Sequence, residues 1–590
     1  MTSRVPLCLL LRLRPIGLAL RGVFVVVLVL SSAFPAFAQV NLSGVWENLG
    51  VLHEDWPDRL FGPELGDYGG VPVTDAAQFR ADTWDASLIT LPEYQCRVHP
   101  SDYAPSFAGF RVWEERDRDS QQLIAIHIHH FAWGTERTIW MDGRPHPPDY
   151  ALHTAMGFST GKWEGDVLTV STTHFKEGWI RRNGIPRSDR ATVVEHFIRH
   201  ADGLTLMTVI TDPVYLTEPM VRSREYEYLI GGQIPPYPCE PVEEIVRPKG
   251  VIPHHLPGTN PFLNEFADKH GLPREAVRGG AETMYPGYKG GAAPTHAGPA
   301  GPINPLKIDD VHVLPVVPGI FMIVGPNGGN VTVQVGKDGV LVVDTQAANV
   351  TDKVLAAIRR LSDGPIRYIV NTSYGRDFTG GNEPVRKAGS TISGGNVAGD
   401  IQDAALGAQI LAHDNVLKRM TSIAAGAWPT STYLSDQKKL FFNGEGIDIL
   451  HQPGAHTDGD SIVFFRRSDV ISTGDIFTTN SYPVIDVAAG GTINGEIDAL
   501  NRLVDLIIPV YGQEGGTLVV PGHGRLSDFG DVLNFREMTI IVRDRVQDMI
   551  KKGMTLDQVK AARPTRDYDP LFGPGDKFVE AVYQTLKKGN

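Results

Sequence analysis

Between Leu42 and about residue 245, apolar side chains come in short alternating runs broken by turn residues. Gln122–His130 alternates, Arg137–Met141 is a short run of the same kind, and Trp163-Glu164-Gly165-Asp166 precedes Val167-Leu168-Thr169-Val170. Ala191–Arg199 and Leu204–Thr211 flank Ala201-Asp202-Gly203, which reads as a hairpin turn. Successive hairpins with period-two patterning predict an all-β domain, an antiparallel meander closed as a barrel or strongly curved. Residues 246–305 differ, with Gly290-Gly291-Ala292-Ala293-Pro294 and Gly298-Pro299-Ala300-Gly301-Pro302. Such composition buries too little apolar area for a core and reads as a linker, with one short helix near Asn264–His270. Beyond it, Gly319–Val324, Val331–Val335, Val340–Asp344 and Ile366–Val370 read as strands. Thr351–Leu361 carries Val354, Leu355 and Ile358 on one helical stripe, with Thr351 as the expected N-cap. Met538, Ile541, Val542, Val546 and Met549 keep helical spacing up to Lys551-Lys552-Gly553, and Thr555 with Gln558 forms a capping box. This half reads as α/β.

Composition changes little. The 590 residues include 55 basic and 68 acidic side chains, a net charge of −13, with 42% apolar residues. These values exclude disorder as the main state and offer no whole-chain attraction to nucleic acid. A small-molecule substrate is the expected partner, and nothing identifies a protein partner.

Arg4, Arg12, Arg14 and Arg21 precede an apolar run from Val23 to Leu30, and Ala36-Phe37-Ala38 follows. A basic start, a short apolar stretch and an A-x-A exit predict a signal peptide, residues 1–38, and a secreted or periplasmic protein. The apolar run falls well below the ~20 residues that span a bilayer, so no stable membrane span is expected after cleavage. Cys96 and Cys239 remain beyond the signal. They form either a disulfide, as an oxidising compartment allows, or two separate buried thiols. The expected division is 39–245 for the β domain, 246–305 for the linker and 306–590 for the α/β domain.

His127 and His129 stand two apart on one strand face, where they read as a hydrogen-bonded surface pair or, less readily, as two metal ligands. The opening Leu42-Ser43-Gly44-Val45-Trp46 resembles the Gly-x-Trp start of lipocalin-like barrels.

Five blocks carry the chemistry of the second half. They are Val343-Asp344-Thr345, then Asn371 through Asn382, Gly454-Ala455-His456-Thr457-Asp458-Gly459-Asp460, Ser472-Thr473-Gly474-Asp475 and Val520-Pro521-Gly522-His523-Gly524. In this order and spacing they resemble the metallo-β-lactamase superfamily over residues 306–590. The resemblance implies an αβ/βα four-layer sandwich and a hydrolase whose paired metal ions activate water.

In that family the loop after the buried strand reads H-x-H-x-D-H. Here, aligned on Asp377, the three histidine positions hold Ser373, Gly375 and Phe378. Carried over by position, His456 belongs to the first metal, Asp475 to the bridge, and Asp377 and His523 to the second. The implied site is therefore depleted, holding one divalent ion (zinc, or manganese or iron(II) given the oxygen-rich donors) or none. The reading is a hydrolase of an ester, lactone or amide acting through a metal-bound water, with Asp377 as the catalytic carboxylate. The alternative is a catalytically inactive scaffold whose β domain binds a ligand or partner. Arg376 is a candidate substitute cation, and Ser373 with His456 and Asp475 a remote nucleophilic arrangement.

Overall fold

The computed structural model describes residues 40–49, 64–106, 109–131, 134–284, 308, 310–326, 329–391 and 407–588. The expected export signal and residues 285–305 of the expected linker lie outside them. Among the described residues no helix is long and apolar enough to cross a membrane.

Among the described residues, nine strands close the N-terminal barrel. They are β1 (Gly44–Asn48), β2 (Phe110–Arg116), β3 (Leu123–His130), β4 (Glu136–Trp140), β5 (Phe158–Glu164), β6 (Val167–Thr173), β9 (Thr192–His200), β10 (Gly203–Thr211) and β11 (Met220–Tyr228), while β7 (Gly178–Arg181) and β8 (Ile185–Arg187) pair separately. Closure between β1 and β11 removes the edge a meander would leave exposed. The expected meander is interrupted once, because β4 and β5 run parallel. Pro145, Pro147 and Pro148 lie in the connection between them, and prolines cannot donate to a continuing ladder. Trp46 fills the barrel end fully buried, its indole N–H donating to Leu42 O at 2.8 Å. Gly44 is required there, since its φ is +132° and a Cβ would strike the Tyr228 ring.

The Pro/Gly-rich stretch is less loose than its composition suggests. Within it Ile252, Ala267 and Val277 are buried, and Glu265–His270 forms the expected helix. Ile252 packs into the same core cluster as Leu500 and Leu533 of the α/β domain.

The described residues of that domain form two sheets. The first runs β12 (His312–Val317), β13 (Ile320–Val324), β14 (Asn330–Gly336), β15 (Gly339–Val343), β16 (Ile366–Val370), β17 (Gln409–His413) and β18 (Ser431–Tyr433). The second runs β19 (Gln437–Phe442), β20 (Glu445–Gln452), β21 (Asp460–Phe465), β22 (Val470–Ser472) and β23 (Leu518–Val520). Met322, Leu341, Ile449 and Val463 lie in the core cluster between the sheets. Val354 and Ile358 of the helix Thr351–Leu361 pack on the first sheet, and the helices Ile493–Leu506, Phe529–Lys551 and Asp576–Lys588 on the second. This is the expected αβ/βα arrangement. Two local details separate. Thr555 and Gln558 form the expected capping box, whereas Thr351 is the first helical residue and Val350 holds the cap position without a side-chain bond.

The two domains are ionically joined. Lys176, buried on the barrel side, pairs with Glu514 and with Asp528, the N-cap of the helix Phe529–Lys551. Arg525 makes a double contact with Asp531 and reaches Asp189 of the barrel domain at 3.3 Å. Removing one member of such a pair would leave a buried charge uncompensated at the seam between the halves.

Candidate metal centre

β15 and β16 end side by side, and the loops that leave them build the floor of the site. Asp344 closes β15 in the left-handed region, φ +63°, and its carboxylate accepts from Thr372 N at 2.8 Å and Thr372 Oγ1 at 2.6 Å. Asn371 and Asn382 exchange side-chain hydrogen bonds of 3.0 and 2.8 Å, so both ends of the 371–382 segment are pinned. Asp377 then projects from the short helix Arg376–Thr379. A Cβ on Gly375 would approach Asp377 Oδ1 to 2.6 Å, and one on Gly522 would approach Asp475 Oδ1 to 2.8 Å. Glycine at these two places leaves room for the carboxylates.

Asp377, Asp475 and His523 converge, with one ligand atom from each lying within 4.8 Å of the others. His523 Nδ1 is 2.9 Å from Asp475 Oδ1, and its Nε2 is 3.6 Å from Asp377 Oδ2. Burial alone would raise the Asp475 carboxyl, but the hydrogen bond and charge of His523, with His456 behind, hold it below the ordinary carboxylate range. Asp377 moves the other way, raised by burial and then by the charge of Asp475. Burial works against a charged His523, yet the hydrogen bond and charge of Asp475, then Asp377, raise it.

His456, the fourth expected ligand, stands outside this cluster. Its Nδ1 is bonded to the Val484 carbonyl; burial would lower its pKa, but Asp460 and then Asp475 raise it. Phe378, at a position where the family motif has histidine, is buried and meets the His523 ring edge-on with centroids 5.9 Å apart. Arg376 does not act as the substitute cation, being exposed with no ion pair to Asp377 or Asp475; the cationic influence on those two carboxyls comes from His523 and His456. The nucleophilic arrangement of Ser373 with His456 and Asp475 is not assembled either: the buried Ser373 Oγ makes no hydrogen bond to His456, and the carboxylate whose charge it meets is that of Asp460. His127 and His129 face Glu115 and Glu136, at 2.8 and 3.5 Å, as the surface pair.

Three acids escaped the sequence reading as site residues. Asp344 is raised to about 8, first by burial, against its bonds to Thr372. Asp460 is buried and raised, held by Thr457 and facing His456. Glu496 is fully buried with both oxygens unpartnered, and burial followed by Asp460 and Asp475 raises it far above the usual range. Asp344 and Asp460 sit inside the recognised blocks. Glu496 carried no signal, since a helical acid normally faces water.

Three oxygen and nitrogen donor groups gathered around one point, two of them carboxylates, suit a single divalent ion. Residues 324–523, which contain every ligand candidate, match the family model described as Metallo-beta-lactamase superfamily. The C-terminal domain therefore has the metallo-β-lactamase fold, in a chain whose N-terminal domain is a closed β-barrel. Similar solved structures include the stereoselective inverting sec-alkylsulfatase Pisa1 from Pseudomonas sp., 15% identical over 46% of this chain and 50% of that one, TM-score 0.37. A metallo-beta-lactamase from Pontibacter korlensis is 16% identical over 39% of this chain and 99% of its own, TM-score 0.31. The chain thus spans about half the length of the alkylsulfatase it matches. No curated protein matches it.

Proposed function

We propose that the C-terminal domain is a hydrolase of an ester, lactone or amide, working with one divalent ion held by Asp377, Asp475 and His523. The observation that carries this reading is the convergence of those three donor groups. A bound ion supplies Lewis acidity, polarising a carbonyl oxygen and bringing the pKa of water toward neutrality. Asp377 is about half exposed, with its side chain at 49% relative accessibility, so it is the carboxylate able to meet a substrate. With one oxygen given to the ion, its other oxygen would be free to orient a water and take its proton. Asp475, buried and held ionised, anchors His523 in one orientation.

Purified full-length chain, stripped and then supplied with manganese, iron(II) or zinc, is expected to hydrolyse an ester or lactone panel only with metal present. Asp377→Ala should abolish that activity. The rival reading is an inactive scaffold with a ligand-binding barrel. It is favoured by one observation: His523 stands 2.9 Å from Asp475 and 3.6 Å from Asp377, so its protonated form would answer both carboxylates without an ion. Metal-independent behaviour unchanged by Asp377→Ala would establish it.

Export to the periplasm or medium belongs to the same proposal. The basic, apolar and Ala36-Phe37-Ala38 segments support it, as does the Cys96–Cys239 disulfide, a bond that persists in oxidising compartments. N-terminal sequencing of the exported protein should begin at Gln39.

A further inference from the structure

A cleft of about 260 Å³ opens along the seam between the two domains, away from the metal centre. One wall is the segment from Trp84 to Tyr103, the second is the β7 hairpin with Trp179 and Arg182, and the third is the α/β domain at residues 512–514 and 530–534. The Cys96–Cys239 disulfide, Cα–Cα 5.6 Å, ties Tyr237 into the lining and fixes the rim.

Its charges do not cancel. The acids of the lining are already engaged, Glu177 by Arg80 and Glu514 by Lys176. Two guanidinium groups are left without a carboxylate. Arg97 makes one 3.3 Å bond to the Gly530 carbonyl and lies 4.5 Å from the Tyr94 ring centroid. Arg182 is exposed at the rim and forms no ion pair or hydrogen bond among the described residues. The field of Arg182 reaches Tyr103, joined there by Arg222 and Arg224. The adjoining imidazole of His99, stacked on Tyr103 at 5.2 Å, is kept uncharged by burial and by Arg182. Indole and phenol rings also line the cleft, through Trp84, Trp179, Tyr94 and Tyr237.

Two unpaired guanidiniums set among four aromatic rings make a recognition surface for an anion carrying a flat apolar body. The volume lies just below the ~300 Å³ at which pockets for drug-sized ligands begin, so the body is one or two rings. We propose that this interdomain cleft is a second binding site, selective for small aromatic carboxylates. It stands independently of the hydrolase reading, because none of its residues belongs to the metal centre.

Calorimetric titration of the full-length chain with naphthalene-2-carboxylate and with the neutral naphthalene-2-carboxamide tests it. The carboxylate should saturate one site and bind at least about tenfold more tightly than the amide. Arg182→Ala, at an exposed position, and Arg97→Met, which keeps its packing on Tyr94, should each weaken the carboxylate about fivefold or more while leaving the amide unchanged. Asp377→Ala should bind as the parent does. Equal affinity for acid and amide, no saturation up to about 1 mM, or indifference to both arginine variants would overturn the proposal.

Discussion

His523 Nδ1 stands 2.9 Å from Asp475 Oδ1, joining two loops whose residues are 48 positions apart. That bond fixes the imidazole and leaves Nε2 turned toward Asp377, 3.6 Å away. One pair therefore sets both the charge and the orientation of the centre.

Asp475→Asn tests the pair. The amide keeps the shape but loses the charge, and its donor faces a ring nitrogen no longer raised in pKa. Since removing groups that merely orient ligands costs about 10–100-fold in metal affinity, loss of this carboxylate should cost at least that much. Competition against a fluorescent chelator would measure it.

Phe378→His reverses one of the three departures from the family motif. The new imidazole would enter beside His523, where the Phe378 ring now packs edge-on. Zinc affinity is expected to rise about tenfold or more, while thermal stability falls through loss of a buried aromatic, by about 1–3 kcal/mol. Unchanged zinc affinity would separate position 378 from the ion.

In the barrel, His130 is buried with both ring nitrogens unpartnered. Burial, then the charges of Arg137 and His129, lowers it to about 3 from an ordinary 6.5. The folded state thus keeps His130 neutral while the unfolded chain protonates below pH 6.5. Its contribution to stability is full above that value and is lost as pH falls from 6.5 toward 3, by up to about 1.4 kcal/mol per pH unit. Urea unfolding of the parent and of His130→Phe at pH 7, 6, 5 and 4 should show a shallower acid decline in the variant.

The disulfide closes a separation of 143 residues. Replacing Cys96 and Cys239 by serine should destabilise the protein by about 2–5 kcal/mol. The cleft lined by both cysteines should loosen with it. Denaturant midpoints with and without reductant check this, the serine variant being insensitive to reductant.

What could be read from the residues followed from local rules. Period-two runs such as Leu204–Thr211 lie in the barrel, and the five motif blocks marked the metallo-β-lactamase fold. Long-range facts escaped. The parallel pairing of β4 with β5 depends on where the proline-rich connection carries the chain. Thr351 lost the cap role because the preceding 3₁₀ turn, Ala348–Val350, already begins the helix. His456 matched by position, but position does not reveal that Val484 engages its Nδ1. Ile252 sits in a stretch whose average composition predicted a linker, and a single apolar side chain buried against another domain leaves that average unchanged.

Counting ions on the purified full-length chain by inductively coupled plasma mass spectrometry tests the central claim most directly. The account predicts one divalent ion per chain, retained in His456→Ala and lost in Asp377→Ala. No stoichiometric ion, two ions, or loss in His456→Ala would contradict it.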